Sequence, residues 1–405
     1  MKQRVLIIGN SFTTRLGLIW SIAPLGCDII VIAIGHYKNI HKSKKTLRPI
    51  DCYSKYVTTV FYFNEEDGKK QLIELILAKC VDYHRKTILI PSSDFSASAI
   101  DENLSLLSAH FLYPHMNYIE GALSSFMNKM FQKEKAVEIG LNVPQAIVVK
   151  SVNHHYEIPD VIKFPCFTKP MTSLNGGKKC VGKCCNREEL ECILKIADQK
   201  GISNILVEEY IEIENEYAVL GFSDGKDVVI PGMIHFLKDS KTLPGVALMG
   251  NVQSVQGYEE LIDKFIQYIQ NIGFVGLFDI DFFESKGVFY FGELNLRIGA
   301  SAYAITKMGV NLPAMFLKYI SSEEINGMPC QIEGSAVYVN ERICLLDWYN
   351  NKLSTKEYRK YINAAEISFV SSEEDPLPQR IYQKRNKVMC FKRIIKKMLN
   401  LVDGW

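Results

Sequence analysis

The residues with most to offer chemically lie between Gly276 and Arg297, in the run Gly-Leu-Phe-Asp-Ile-Asp-Phe-Phe-Glu-Ser-Lys-Gly-Val-Phe-Tyr-Phe-Gly-Glu-Leu-Asn-Leu-Arg. Asp279 and Asp281 come before Glu284-Ser-Lys-Gly287, and Glu293, Asn295 and Arg297 come after it, always at alternate positions. Hard oxygen donors hold Mg²⁺, and a guanidinium neutralises charge on a phosphoryl group in transfer. Chemistry on a polyphosphate is what such a set would serve. The flanking runs are rich in Phe, Ile, Val and Tyr, which predicts two antiparallel strands. A three-residue loop, Ser285 to Gly287 with Gly287 left-handed, pairs Glu284 with Val288, Asp279 with Glu293 and Asp281 with Phe291. That register puts Asp279, Asp281, Glu293, Asn295 and Arg297 on one face, and Phe278, Ile280, Phe282, Val288, Tyr290 and Leu294 in a core on the other. A solvated strand face with the same charges is the competing reading.

The chain has 405 residues, 47% hydrophobic and 23% charged, with a formal net charge of +2. This is the composition of a globular protein long enough for two or three domains. The near-neutral balance argues against a nucleic-acid partner. Eleven cysteines without a repeated spacing point to reduced thiols in a cytoplasm. The spacing of Cys180, Cys184, Cys185 and Cys192 fits no common zinc pattern. No apolar run is long enough for a membrane span, and the start is too short in apolar residues for a signal peptide.

Taken in order, Arg4 to Ile8, a helical run through Leu16 to Ala23, and Asp28 to Gly35 form a strand, helix, strand opening of a parallel sheet. Its first turn lacks the Gly-x-Gly-x-x-Gly of a dinucleotide site. Asp94 follows the strand Thr87 to Pro91, where open α/β sheets bind ligands, although capping the next helix is the commoner role for such a residue. Lys129, Lys133 and Lys135 lie on a helix that ends at Gly140, and Lys133 and Lys135 read as solvated surface. Thr168-Lys169-Pro170 ends a strand and leads into a loop where Gly176 and Gly177 allow backbone N–H groups close to a phosphate. Ile205 to Ile211 and Glu214 to Gly221 read as further strands. The end of the chain, Lys384 to Val402, is a basic amphipathic helix that either docks on its own domain or rests on an anionic membrane surface.

These parts, in this order, resemble the ATP-grasp superfamily from roughly Asn117 to Ala314. Within it the likeness is to carboxylate-amine ligases of the D-aspartate-ligase type, which also share the phrase Asp375-Pro-Leu-Pro378. The resemblance implies an α/β, or α+β, ATP-grasp fold. Its expected parts are a pre-ATP-grasp parallel-sheet domain (1–114), a small antiparallel lid (115–209), a large metal-binding subdomain (210–346) and a C-terminal extension (347–405). It implies ATP and one or two Mg²⁺, with Mn²⁺ as a substitute. Asp281, Glu293 and Asn295 would be the metal ligands. Lys129, Lys169, Gly176 and Gly177 would sit on phosphates, and Glu208, Glu209, Tyr210, Ile211 and Glu216 on adenine and ribose. Arg297, with Lys169, would act at the reacting phosphoryl group.

The activity so implied is ADP-forming ligation of a small-molecule carboxylate to an amine, either of which could be an amino acid or a cell-envelope precursor. A homodimer is open, and no nucleic acid is expected. A kinase-like phosphotransferase and a catalytically silent ATP-binding module are the alternatives.

Overall fold

A computed structural model describes residues 2–36, 48–152, 155–172, 174, 178–243 and 245–402. Three sheets organise them. The first holds β1 (Arg4–Gly9), β2 (Asp28–Ile34), β3 (Val57–Phe63), β4 (Thr87–Pro91) and β5 (Phe111–Leu112), parallel, in the order β3-β2-β1-β4-β5. The near-continuous apolar runs of β1, β2 and β4 follow from their position, because a central parallel strand is covered on both faces. A short strand, β6 (His115–Met116), then leaves this sheet to pair with the large one.

The second sheet is antiparallel. It contains β7 (Ala146–Val152), β8 (His155–Tyr156), β9 (Cys166–Pro170), β10 (Gly182–Cys184) and β11 (Asn204–Glu209), in the order β10-β9-β11-β7-β8. One helix, Arg187–Gln199, covers its apolar face, where Cys166, Cys180 and Cys184 are buried as ordinary core side chains. Among the described residues no cysteine cluster that could hold a metal ion is present.

The third sheet contains β12 (Asn215–Asp224), β13 (Val228–Val229), β14 (Met233–Asp239), β15 (Ala247–Gln253), β16 (Phe274–Ser285), β17 (Val288–Asn295), β18 (Ser335–Val339) and β19 (Ile367–Ser368). Its path is β17-β16-β12-β14-β15-β18-β19, with β13 on β12 and β6 on β16. One face packs Tyr217, Val219, Phe278, Ile280 and Phe282 under the helix Glu259–Ile272. The other packs Ala218, Leu220, Phe222 and Leu277 in one core with residues of β1, β2 and the helix Phe12–Ile22. Residues 115–141, grouped above with the lid, contribute Met116, Leu123, Phe126, Ala136 and Leu141 to the core of the large sheet.

The register of the β16–β17 hairpin differs from the expected one. Ser285 pairs with Val288 across a two-residue turn in which Lys286 (φ 52°) and Gly287 (φ 74°) are both left-handed. Such a turn matches the twist of the flanking strands better than the longer loop does. Farther along, the ladder shifts by one residue, so that Phe282 faces Phe291 while Asp281 faces Glu293 and Asp279 faces Asn295. Gly292 is the extra residue of this bulge. The bulge resets the alternation, so Phe291 enters the core beside Phe282 and Tyr290 stacks on Phe283 instead. Val288, expected in the core, is exposed. The grouping of Asp279, Asp281, Glu293 and Asn295 survives because the total displacement is two residues, a full period of the strand.

Tight charge pairs brace the sheets. Arg15, buried in the first helix, forks onto both oxygens of Asp51 at 2.7 and 2.9 Å and donates to the carbonyl of Gly9 at the end of β1. Asp375, in the Asp-Pro-Leu-Pro phrase, accepts from Trp20 Nε1 at 2.9 Å and from the Lys55 amide at 3.2 Å, tying the C-terminal part to the first domain. The last helix, Pro376–Val402, lays Tyr382 into the core and Arg393 over the ring of Trp348 at 3.8 Å. No helix among the described residues is long and apolar enough to cross a membrane.

A Cβ added at Gly292 would lie 2.9 Å from the backbone oxygen of Asp281, a contact only backbone movement can relieve. Gly292→Val should therefore destabilise the protein by roughly 1–3 kcal/mol and displace Glu293. Urea unfolding of the variant beside the parent checks this, and an unchanged midpoint would show that the bulge is not sterically required.

Candidate active site

Asp281 comes from β16, and Glu293 and Asn295 from β17, with Arg297 just past the strand's end. Asn295 Nδ2 donates to Asp281 Oδ2 at 3.2 Å, and Arg297 Nη2 donates to Asn295 Oδ1 at 3.1 Å. Glu293 is ion-paired with Lys129, the first residue of the helix Lys129–Glu138. That helix is fixed against β17 by Gln132, whose amide exchanges hydrogen bonds with the backbone of Leu294. Burial and the Glu293 charge push Asp281 up to about 6, opposed by Arg297 and Lys129. Asp279, next along the strand face, is raised by burial and by Asp281, and its buried Oδ1 has no hydrogen-bond partner among the described residues. Burial also works against ionisation of Glu293, but Lys129, Lys169 and Arg297 outweigh it and hold that carboxyl below its ordinary range.

Lys169, on β9, lies 2.9 Å from Glu208 Oε2 on β11, and Lys133 lies 2.9 Å from Glu208 Oε1. Lys133 was expected to be solvated and is instead buried. Its helix turns it inward, one turn after Lys129, toward a carboxylate that offsets the cost of burying an ammonium. Both oxygens of Glu208 are thus engaged by cations, an arrangement its sequence neighbourhood does not announce. Glu209 accepts from the Gln145 amide at 2.9 Å. Gly176 and Gly177 lie outside the described residues.

A cavity of about 750 Å³ between the lid and the large sheet brings together Lys169, Glu208, Glu209, Tyr210, Ile211, Glu216, Asp281 and Glu293. Its size is within the usual range for small-molecule sites. Burial and the neighbouring Asp239 carboxyl push Glu216 up to about 7, with Asp281 adding to the effect. Lys129, Asn295 and Arg297 are not among the residues lining this cavity. A second cavity of about 380 Å³ lies along Asp279, Asn295 and Arg297 and shares Asp281 with the first.

Two neighbours, Lys183 and Asp239, escaped the reading of the sequence, and a third, Asp94, was weighed there mainly as a helix cap. Lys183 lies over the ring of Tyr210 at 3.9 Å and lines the large cavity. Asp239 faces Glu216 from β14. Asp94, for which helix capping was the commoner expectation, accepts from Arg297 Nε at 2.9 Å, and the cap is Ser93. Only the carboxyl-end position of Asp94 on its strand was a usable signal.

Among the described residues no three His, Cys, Asp or Glu side chains converge closely enough to hold a metal ion by themselves. The acids are turned to Lys129, Asn295 and Arg297 instead. The donor set nevertheless fits Mg²⁺, which usually takes only one or two carboxylates and completes its shell with phosphate oxygens and water. The orphaned Asp279 Oδ1 is a further oxygen donor at the same place.

Lys133 offers a pH test of the buried cluster. Burial, with the Lys169 charge adding to it and Glu208 opposing, lowers its pKa from 10.5 to about 8. Between these values the unfolded chain keeps a proton that the folded one has lost, so this group's contribution to stability rises with pH across that window. In Lys133→Met the rise should disappear. Denaturation midpoints of both proteins from pH 7.5 to 10.5 measure it, and parallel profiles would place Lys133 in water.

Residues 134–306 match the model of the ATP-grasp domain. The chain is 26% identical over 276 residues to a D-aspartate ligase of Enterococcus faecium, covering 64% of this chain and 63% of that protein. It therefore spans less than two thirds of that relative's length. Its fold is similar to the biotin carboxylase domain of the Hydrogenobacter thermophilus 2-oxoglutarate carboxylase, a structure in complex with MgADP, ADP and bicarbonate. The TM-score is 0.64 at 17% identity, over 84% of this chain and 74% of the other. It is also similar to an L-amino acid ligase from Bacillus licheniformis, with a TM-score of 0.60 at 15% identity over 84% and 79% of the two chains. At such identities the structural likeness speaks for the fold. The parallel first sheet, the antiparallel lid, the large sheet with its acidic hairpin and the matched segment lead to one conclusion: this chain carries an ATP-grasp domain.

Proposed function

We propose that the protein is an ADP-forming ligase that activates a carboxylate with the γ-phosphoryl group of ATP and transfers the acyl group to an amine. The observation that carries this reading is the junction of the two cavities at Asp281, where the acidic hairpin separates a nucleotide-sized space from a smaller one. In the first step a carboxylate oxygen attacks the γ-phosphorus, the bond from that phosphorus to the β,γ-bridging oxygen breaks, and ADP leaves. In the second the amine nitrogen attacks the acyl carbon, inorganic phosphate leaves, and the nitrogen gives up a proton. Neither step needs a nucleophilic side chain, since positioning and electrostatics do most of the work in phosphoryl transfer.

In this reading Lys129 and Lys169 turn from Glu293 and Glu208 to the phosphates, and Arg297 stabilises charge at the acyl phosphate. Glu208 or Glu209 takes the adenine amino group, Tyr210 and Ile211 offer backbone groups to the ring, and Glu216 takes the ribose hydroxyls. Asp281, Glu293 and Asn295 would hold Mg²⁺, which when bound supplies charge neutralisation along the polyphosphate. Support for the ligase reading comes from the relatives with printed ligase activities and from the chain's own acid, amide and guanidinium set.

Glu293→Gln should lower Mg-dependent turnover by more than the ~10–100-fold typical of losing a mere supporting contact, without unfolding the protein. ADP release at saturating Mg²⁺ measures this, and ordinary activity would remove the hairpin from the site. Lys169→Ala should weaken ATP binding by about 1.5–3 kcal/mol, the worth of a charge-assisted hydrogen bond, as read by titration calorimetry. Products should be ADP and phosphate, with a hydroxamate trapped by hydroxylamine when the acid is offered alone. Pyrophosphate released in step with amide formation would overturn the mechanism.

A further inference from the structure

The last helix, Pro376–Val402, is docked along one face. Ile381 and Tyr382 pack on the core shared by the first and large sheets, Arg385 donates to the Arg48 carbonyl at 2.7 Å, and Arg393 donates to Asn351 Oδ1 at 2.9 Å. With 3.6 residues per turn these four side chains fall within about 120° of arc. The opposite arc holds Val388, Phe391 and Ile395, all exposed, Phe391 with 64% of its surface in solvent. A single exposed apolar residue needs no explanation, but three at i, i+3 and i+7 form a continuous stripe.

Charge indicates what covers that stripe. Between residues 376 and 402 the sequence has eight Lys and Arg and no Asp or Glu, whereas the whole chain is only +2, so the rest of the protein is net acidic. Arg380, Lys384 and Lys387 lie on the outer arc with the stripe and are exposed as well. A second copy laid on this helix would set like charges against each other. A nucleic acid would meet the cations with phosphates but would give Val388 and Ile395 nothing apolar to enter. An anionic bilayer surface answers both features, with headgroups for the cations and the acyl boundary for the stripe, while the long Lys and Arg stems span the two.

We propose that the last helix seats the protein on an anionic lipid surface, with Val388, Phe391 and Ile395 entering the headgroup layer and Arg380, Lys384 and Lys387 on lipid phosphates. Docking on the protein and seating on lipid use opposite faces of one helix, so the first is kept while the second occurs. The proposal is independent of the ligase reading.

The test sediments the full chain with vesicles of phosphatidylcholine alone and of phosphatidylcholine mixed with phosphatidylglycerol. The parent should bind the mixed vesicles at least ~10-fold more tightly than the neutral ones and be released at about 0.5 M salt. Lys384→Gln with Lys387→Gln should weaken that binding ~25-fold, since each cation at such a surface is worth about fivefold. Phe391→Gln with Ile395→Gln should weaken it at least ~10-fold. These four side chains are exposed, so both double variants should keep the parent's urea midpoint, and Val388→Gln is a milder change in the same stripe. No sedimentation with the mixed vesicles, or equal binding to both kinds, would overturn the proposal. So would undiminished binding by the apolar variants, which would leave only an attraction that any polyanion, nucleic acid included, could supply. A parent that is dimeric by light scattering, and monomeric once Phe391 and Ile395 are replaced, would give the face to a second copy instead.

Discussion

Asp279, Asp281 and Glu293 are carried into one junction by neighbouring strands, and their mutual repulsion is eased by cations that arrive from elsewhere in the chain. Lys129 comes from the helix that precedes the lid, Lys169 acts on Glu293 from the lid itself, and Arg297 comes from the end of β17. Asp94 then reaches from the first domain to hold Arg297. Removing one partner from a buried pair typically costs about 3–5 kcal/mol, because the remaining charge is stranded. The arrangement thus couples the domains electrostatically at the point where, in the proposed function, a polyphosphate and its metal would introduce new charges.

The same logic governs the lid. Glu208 sits between Lys133 and Lys169, so the lid sheet and the helix before it share one carboxylate. A buried carboxylate shared by two ammonium groups leaves a net positive charge beside the large cavity.

The hairpin shows how a local device serves a distant requirement. Its tight turn and the bulge at Gly292 let Phe282 and Phe291 pair in the core, while two residues farther on the acids pair on the opposite face. A regular ladder could not put a large aromatic at Phe291 inside and a carboxylate at Glu293 outside that core with no extra residue, since they would share a face. Gly292 fits there because it leaves room for the Asp281 carbonyl.

The hydrophobic runs of β1, β2 and β4, and the alternation of acids across Gly276 to Arg297, were legible in the amino-acid order, because burial on two faces and burial on one write different periods into a strand. From them came the parallel first sheet and the grouping of Asp279, Asp281, Glu293 and Asn295. The register of the hairpin was not legible, since a two-residue turn with a bulge and a three-residue loop without one leave the acids on the same face. Nor was the burial of Lys133: a lysine's pattern on a helix is the same whether it meets water or a carboxylate from a strand 75 positions away. The Asp94 to Arg297 contact spans 203 residues. The chain order records each side chain's type and local period, but only the packing of separate sheets decides which charges meet, because an ion pair depends on distance in space and leaves no period in the sequence.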